Sequence, residues 1–283
     1  MNNNKKTALG YICAVLMSLF IGLQFVFIKN IVEPFEGKIL QLLFIRFALC
    51  LAPFIFFIKK IKFKSIFDKN IILLSVLQPF LNLLAQTYGV ALTSVTSVAY
   101  VTSIGPLLTI LLSAAILKEK ISGKQTAGIA MVISGAVIVV WGRGKGLSGF
   151  GIGSLLIFAA LALRSLYSVL SKEKTKDIDA ATLTFGQLFW GMIMFLISSL
   201  IFGGFAGLKD IVISLDMMGI ISLLYVSFIS LTAVYLLNNI SISKISVTAT
   251  GILSNLTFIV TLASGLIFMK EEISVLSIIG RCV

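Results

Sequence analysis

Apolar residues run along this chain in long stretches broken by short segments that hold nearly all of the charge. A hydrocarbon core about 30 Å thick takes about 20 residues of helix to cross, with a range of about 17 to 25. Measured against that length, the chain contains nine complete runs and one incomplete one: Ala8–Ile28, Ile39–Ile58, Ile71–Leu92, Val95–Leu117, Thr126–Trp141, Gly151–Leu170, Ala181–Phe202, Met217–Leu237, Val247–Phe268, and a tenth from Val275 to the final residue, Val283. The runs are continuously apolar rather than alternating, which predicts helices, each closing its own backbone hydrogen bonds in lipid, and not strands of a barrel. The predicted fold class is therefore all-α and polytopic. Nine residues follow Ser274, so the tenth run is about half a span and reads as truncated.

The segments between the runs carry an orientation. With the amino terminus on the cytoplasmic side, fourteen of the 23 basic residues fall on the inner face, six on the outer face, and three (Arg46, Arg164 and Arg281) within runs. Cytoplasmic loops carry the excess of Lys and Arg, so this orientation is the expected one. The formal charge of +12 is then a topology signal, with no soluble basic domain to make it a nucleic-acid footprint. The hydrophobic share of 58% and mean hydropathy of +1.09 agree with a chain that has little mass outside the bilayer. The basic opening segment leads into a run too long for a signal-peptide core and without a small-residue cleavage pattern; it reads as an uncleaved first helix.

The runs also repeat. Shifting Ser94–Gly128 by 152 positions lays it on Ser246–Gly280, matching Ser94 with Ser246, Thr96 with Thr248, Glu119 with Glu271 and Ser122 with Ser274. Earlier in each half the offset is 143, pairing Gly10 with Gly153 and Lys29 with Lys172. Two units are expected, residues 1–143 with runs one to five and residues 144–283 with runs six to ten. Because five is odd, a first unit that begins inside obliges the second to begin outside. Inverted repeats of this kind give many secondary transporters alternating access to a site at the bilayer midplane.

The arginine of Phe44-Ile45-Arg46-Phe47, the pair Gly105-Pro106, and Leu117-Lys118-Glu119-Lys120-Ile121-Ser122, set in a duplicated ten-run plan, resemble the EamA-type family of the drug/metabolite transporter superfamily. The resemblance covers essentially the whole chain. It implies an inner-membrane carrier, commonly an exporter of amino acids or other small metabolites, with the fifth and tenth helices peripheral. One departure is Phe258 at the position matching Pro106. The second half has no proline, so any hinge there falls to Gly251, Gly265 or polar side chains.

Candidate binding residues are the polar ones that lipid penalises. Gln78, Asn82 and Gln86 recur every four residues, on one helix face, and serve either as interhelical hydrogen-bond partners or as a cavity wall. Thr250, Ser254, Thr257, Thr261 and Ser264 form a hydroxyl face beside Asn255; of this run Asn255 and Thr257, near mid-span, are the substrate-binding candidates, against close helix packing as the alternative. Tyr100 and Tyr225 supply either an aromatic wall or core hydrogen bonds. Arg46 is expected to face the bundle interior, where it can bind a substrate carboxylate or hold a gate. Arg164 is expected to snorkel to the headgroups. Pro79, Gly105, Pro106 and Gly251 are the hinge candidates. Glu119 and Glu271 read as solvated anchors.

The absences narrow the chemistry. The chain has no histidine, and none of its Asp or Glu residues lies inside an assigned run. A proton relay of the usual intramembrane kind has no member, and a membrane hydrolase or metalloprotease lacks its base and ligands. No cofactor or metal is expected, and the three cysteines lie within runs. The expected function is export of a small polar metabolite such as an amino acid, with a small-molecule substrate and the lipid bilayer as partners; the alternative is a non-transporting structural or ligand-sensing membrane protein, possibly a truncated carrier. Single cysteines at Lys62 or Lys174 are expected to react with an impermeant maleimide only after the membrane is opened, and cysteines at Lys38 or Lys209 in intact cells. Labelling of both pairs from one side would overturn the assigned topology.

Overall fold

In a computed structural model, which describes residues 3–35, 37–118, 151–174, 176–202 and 206–269, the chain is helical and the described residues contain no strand. Eight helices are long and apolar enough to cross a membrane: α1 (Thr7–Phe35), α2 (Ile39–Phe56), α3 (Lys69–Ala91), α4 (Val95–Leu117), α5 (Ile152–Lys174), α6 (Ala180–Phe202), α7 (Met217–Lys244) and α8 (Val247–Met269). They correspond to predicted runs one to four and six to nine. The fifth and tenth runs, Glu119 and Glu271 among their flanking residues, lie outside the described residues, so eight of the ten predicted spans are seen.

The helix pairings exchange under the sequence offsets. Helix α1 packs on α8 and α7, α5 packs on α4 and α3, and α2 packs on α6. Replacing each helix by the one four places along exchanges the α1 pairings with the α5 pairings and returns the α2–α6 pairing to itself. The contacts that hold these pairs repeat in the same way. Gly10 of α1 meets Lys244 and Ile245 at the end of α7, and Gly153 of α5 meets Leu92 at the end of α3; Leu92 and Lys244 are 152 positions apart. Without a hydrophobic drive between helices in lipid, such close approaches are how dispersion contact is gained. A Cβ at Gly153 would stand 2.8 Å from the Leu92 carbonyl oxygen, a backbone atom with no rotamer to yield.

Breaks in the helices fall at corresponding places too. Helix α3 opens into a wide π-type turn at Val76–Leu81 around Pro79, with Gln78 outside helical dihedrals (φ −146°, ψ 115°). Helix α7 carries a π-type turn at Tyr225–Ala233. Helix α4 is interrupted between Thr102 and Gly105, and α8 between Leu253 and Asn255. Phe258 in place of a proline therefore leaves the second interruption intact. Its local cause is a hydroxyl bonding back to the preceding turn, which bends a helix: Ser254 Oγ donates to the Gly251 carbonyl (2.6 Å), as Thr102 Oγ1 does to the Ala99 carbonyl (2.9 Å). Both α4 and α8 start from a serine cap, Ser94 accepting from the Ser97 N–H and Ser246 from the Ala249 N–H.

Gly153→Ala is expected to destabilise the detergent-purified protein by about 1–3 kcal/mol through overpacking. Gly151→Ala, where an added Cβ meets nothing within 4 Å, serves as the neutral control in a thermal unfolding series.

Candidate functional site

Helix ends first fix the site's frame. In α1, Lys29 Nζ donates to the carbonyls of Val90 (3.4 Å) and Thr93 (3.1 Å) at the end of α3, and pairs with Glu33 at 3.2 Å. In α5, Lys172 Nζ donates to the carbonyls of Ile242 and Ile245 at the end of α7. The two lysines are 143 positions apart, and their acceptors are 152 apart. Terminal carbonyls lack intrahelical partners, and a cation there also opposes the negative end of the helix dipole. Each lysine thus ties a central helix to a kinked one.

Two cavities lie within this frame. The first, of about 50 Å³, is bounded by α1, α3, α4, α5 and α8, with Asn82, Gln86, Gly105, Thr109, Arg164 and Thr257 among its walls. The second, of about 30 Å³, is lined by Met17, Ser168, Asn238, Thr250 and Gly251, and shares Thr109, Arg164 and Ser254 with the first. The offsets carry one onto the other: Phe25 goes to Ser168, Gln86 to Asn238 and Thr102 to Ser254, while Ala160 comes from Met17. Arg164 stands where the first half has Ile21. A third cavity of about 280 Å³, at the end of α5, is lined by residues that include Lys172, Lys176, Asn239 and Ser243.

Of the predicted residues, Asn82, Gln86, Thr257 and Gly105 come together on the first cavity. Asn82 Nδ2 donates to the Ala160 carbonyl of α5 at 2.7 Å, and Thr257 Oγ1 to the Ser18 carbonyl of α1 at 3.2 Å. Gly251 lines the second cavity and packs against Thr109. Gln78 is buried outside both, beside Tyr235; its carbonyl, released by the kink at Pro79, accepts from Gln187 Nε2 at 3.0 Å. Pro106 sits in the first turn after the α4 interruption.

The structure separates the rest. Tyr100 is buried and is not in the lining of either central cavity. Tyr225 is a core tyrosine, its hydroxyl donating to the Phe20 carbonyl at 3.0 Å and its ring stacked on Phe27 at 4.2 Å. Asn255 is exposed at the α8 interruption, because the break turns it out of the bundle. Arg46 is fully buried, as expected, and none of its three guanidinium nitrogens meets a hydrogen-bond partner among the described residues.

Arg164 corrects the expectation of snorkelling. Helix α5 runs on to Lys174, ten residues or about 15 Å beyond Arg164, too far for the guanidinium to reach that end. Its Nη2 lies 3.7 Å from Met17 Sδ of α1, and its side chain lines both central cavities. Sequence reasoning missed this role, and also a buried network in which Tyr167 hydrogen-bonds Gln187 and Asn239, and Asn239 Nδ2 donates to Thr184 and Gln187 at 3.0 and 2.9 Å. The residues were visible as polar positions in apolar runs. Their meeting across α5, α6 and α7 was not.

The chemistry available in the cavities is that of amides, hydroxyls and a guanidinium, and no cluster of His, Cys, Asp or Glu fit for a metal occurs among the described residues. Eight apolar helices around small polar cavities define a multi-pass membrane protein. Residues 8–141 and 151–283 both match the model of the EamA-like transporter family, and the chain belongs to that family. It is 27% identical over 237 residues to the uncharacterized transporter YcxC of Bacillus subtilis (strain 168), covering 78% of this chain and 75% of that protein. It is 26% identical over 176 residues to a probable amino-acid metabolite efflux pump of Escherichia coli (strain K12), covering 61% and 58%. A protein crystal structure shares the fold, with a TM-score of 0.69 over 99% of this chain and 94% of the other, at 16% identity.

Asn82→Ala removes a donor from the Ala160 carbonyl and is expected to cost about 1 kcal/mol of stability, a shift readable by thermal unfolding in detergent.

Proposed function

We propose that this protein exports a small polar metabolite, in the manner of an amino-acid carrier, from the cytoplasm across the cytoplasmic membrane by alternating access, its amino terminus inside. Two five-helix units, residues 1–143 and 144–283, are inserted in opposite orientations, and the substrate is held where they meet. The observation that carries this reading is the pair of central cavities. The offsets of the duplicated sequence relate them, and they share Thr109, Arg164 and Ser254 as a common wall. An inverted pair of units interconverts such cavities when it rocks, so each in turn opens to one side of the membrane.

At about 50 and 30 Å³ the cavities hold a few water molecules each, less than an amino acid occupies. The described state thus lacks room for the substrate, and admitting it requires the helix interruptions to move. The kinks of α3 and α7 and the breaks in α4 and α8 are the places where the backbone already departs from a continuous helical ladder, so the change in dihedrals is concentrated there. The absence of Asp and Glu from the runs favours facilitated export or exchange over carboxylate-based proton coupling. The likeness to the E. coli efflux pump supports an amino-acid-type substrate.

The test uses a cysteine at Gln86 in the first cavity and one at Asn238 in the second, in proteoliposomes of known orientation. The two are expected to react with impermeant reagents from opposite sides, and substrate is expected to protect both. Reaction of both from the same side would refute the alternating arrangement. In counterflow assays across amino acids, Asn82→Ala is expected to slow exchange of whichever solute is carried.

A further inference from the structure

Three cavities follow one another along α5. The 280 Å³ cavity includes Lys172 and Lys176 in its lining, the next Arg164 and Ser168, and the next Ile157, Leu161 and Arg164 again. The charged side chains on this series are all basic; no Asp or Glu lines any of the three. Glu173, Asp177 and Asp179 are exposed and are not in the lining; Asp179, between the lining residues Ile178 and Ala180, accepts from the Thr182 N–H and hydroxyl. Deeper in the bundle a second guanidinium, Arg46, is fully buried without a hydrogen-bond partner among the described residues. Tyr235 lies within electrostatic range of both arginines.

An arginine stays protonated inside proteins, so two of them in one low-dielectric interior place a fixed positive potential there. Buried charge is ordinarily matched by a partner. Here no acidic residue of the chain lies in an apolar run to provide one. We infer that the transported molecule provides it: the substrate is a small organic anion whose carboxylate is held by Arg164, the one charged side chain common to both central cavities. The inference rests on the carrier reading above and narrows its substrate class.

The geometry gives the selection a direction. A carboxylate can accept two parallel hydrogen bonds from a guanidinium fork, and the Asn82, Gln86 and Thr109 side chains are at hand for the rest of a polar skeleton. A second cationic group on the substrate would stand beside Arg164 with no carboxylate to receive it. Cationic amino acids are therefore excluded by like-charge repulsion, and anionic ones or simple dicarboxylates are favoured over zwitterions. Lys172 and Lys176, in the lining of the large cavity at the α5 end, carry the same sign as Arg164. Arg164 also stands where the first half has Ile21, so the anchor is single and serves both cavities.

The test uses the full-length protein purified and reconstituted in liposomes, with radiolabelled succinate, glutamate, leucine and lysine as probes. Net uptake of succinate or glutamate into liposomes free of internal substrate is expected, driven faster by an inside-positive potential imposed with potassium and valinomycin, with lysine at background. Arg164→Gln is expected to lower that flux about tenfold or more, and Arg164→Lys to restore part of it. The same anions, but not lysine, are expected to raise the thermal stability of the wild-type protein and not of Arg164→Gln. Transport of leucine or lysine that is indifferent to Arg164→Gln would overturn the anion assignment and leave the carrier reading standing. Anion stabilisation that requires Arg164, with no flux of any probe, would overturn the carrier reading and leave the anion site standing. Neither flux nor stabilisation by any anion would overturn the assignment of the site.

Discussion

In hydrocarbon no water is available to a backbone group that lacks a partner, and every end or interruption of a helix has to be supplied with one from elsewhere in the protein. Lys29 and Lys172 do this for the ends of α3 and α7, each reaching across from a central helix to two carbonyls at equivalent positions. Their long stems cross the helix interface and their charged heads meet the negative helix ends. Much of the remaining arrangement hangs on these joints, since they hold the ends of the kinked helices against α1 and α5. Close glycine contacts at Gly10 and Gly153 hold the same helix ends from the other side, α7 against α1 and α3 against α5.

The same requirement explains the polar interior. Where α3 breaks at Gln78, the released carbonyl is taken by Gln187 of α6, and Gln187 is held in turn by Asn239 and Tyr167. A buried network of this kind is stable when its members are satisfied. On the wall of the first cavity, Gln86 Oε1 has no hydrogen-bond partner in the described residues.

Arg164 is a position at which the repeat differs in charge. Most of the matched contacts are made by residues of similar chemistry, but Ile21 and Arg164 are not interchangeable, and the difference lies on the wall shared by both cavities. A duplicated scaffold supplies two nearly equivalent half-sites; one substitution within it is enough to give the shared centre a charge.

Much of the architecture was legible in the sequence because bilayer thickness turns apolar length directly into a helix, and lysine placement and repeat offsets need no tertiary information. The match of Gly10 with Gly153 and of Lys29 with Lys172 located the helix joints before their partners were known. The face of Gln78, Asn82 and Gln86 was legible as a period of four, yet only Asn82 and Gln86 reach the cavity, since the kink at Pro79 rotates Gln78 away from its helical neighbours. Asn255 and Thr257 are two residues apart in one apolar run, and the break in α8 exposes one and buries the other. Arg164 was read by its distance from the end of a run, a one-dimensional measure that says nothing of which helices surround it. The sequence by itself determined which segments are helices and which are copies of one another; only the packing of α5 at the centre of the bundle decided which polar side chains share a cavity, because burial depends on neighbours that are distant along the chain.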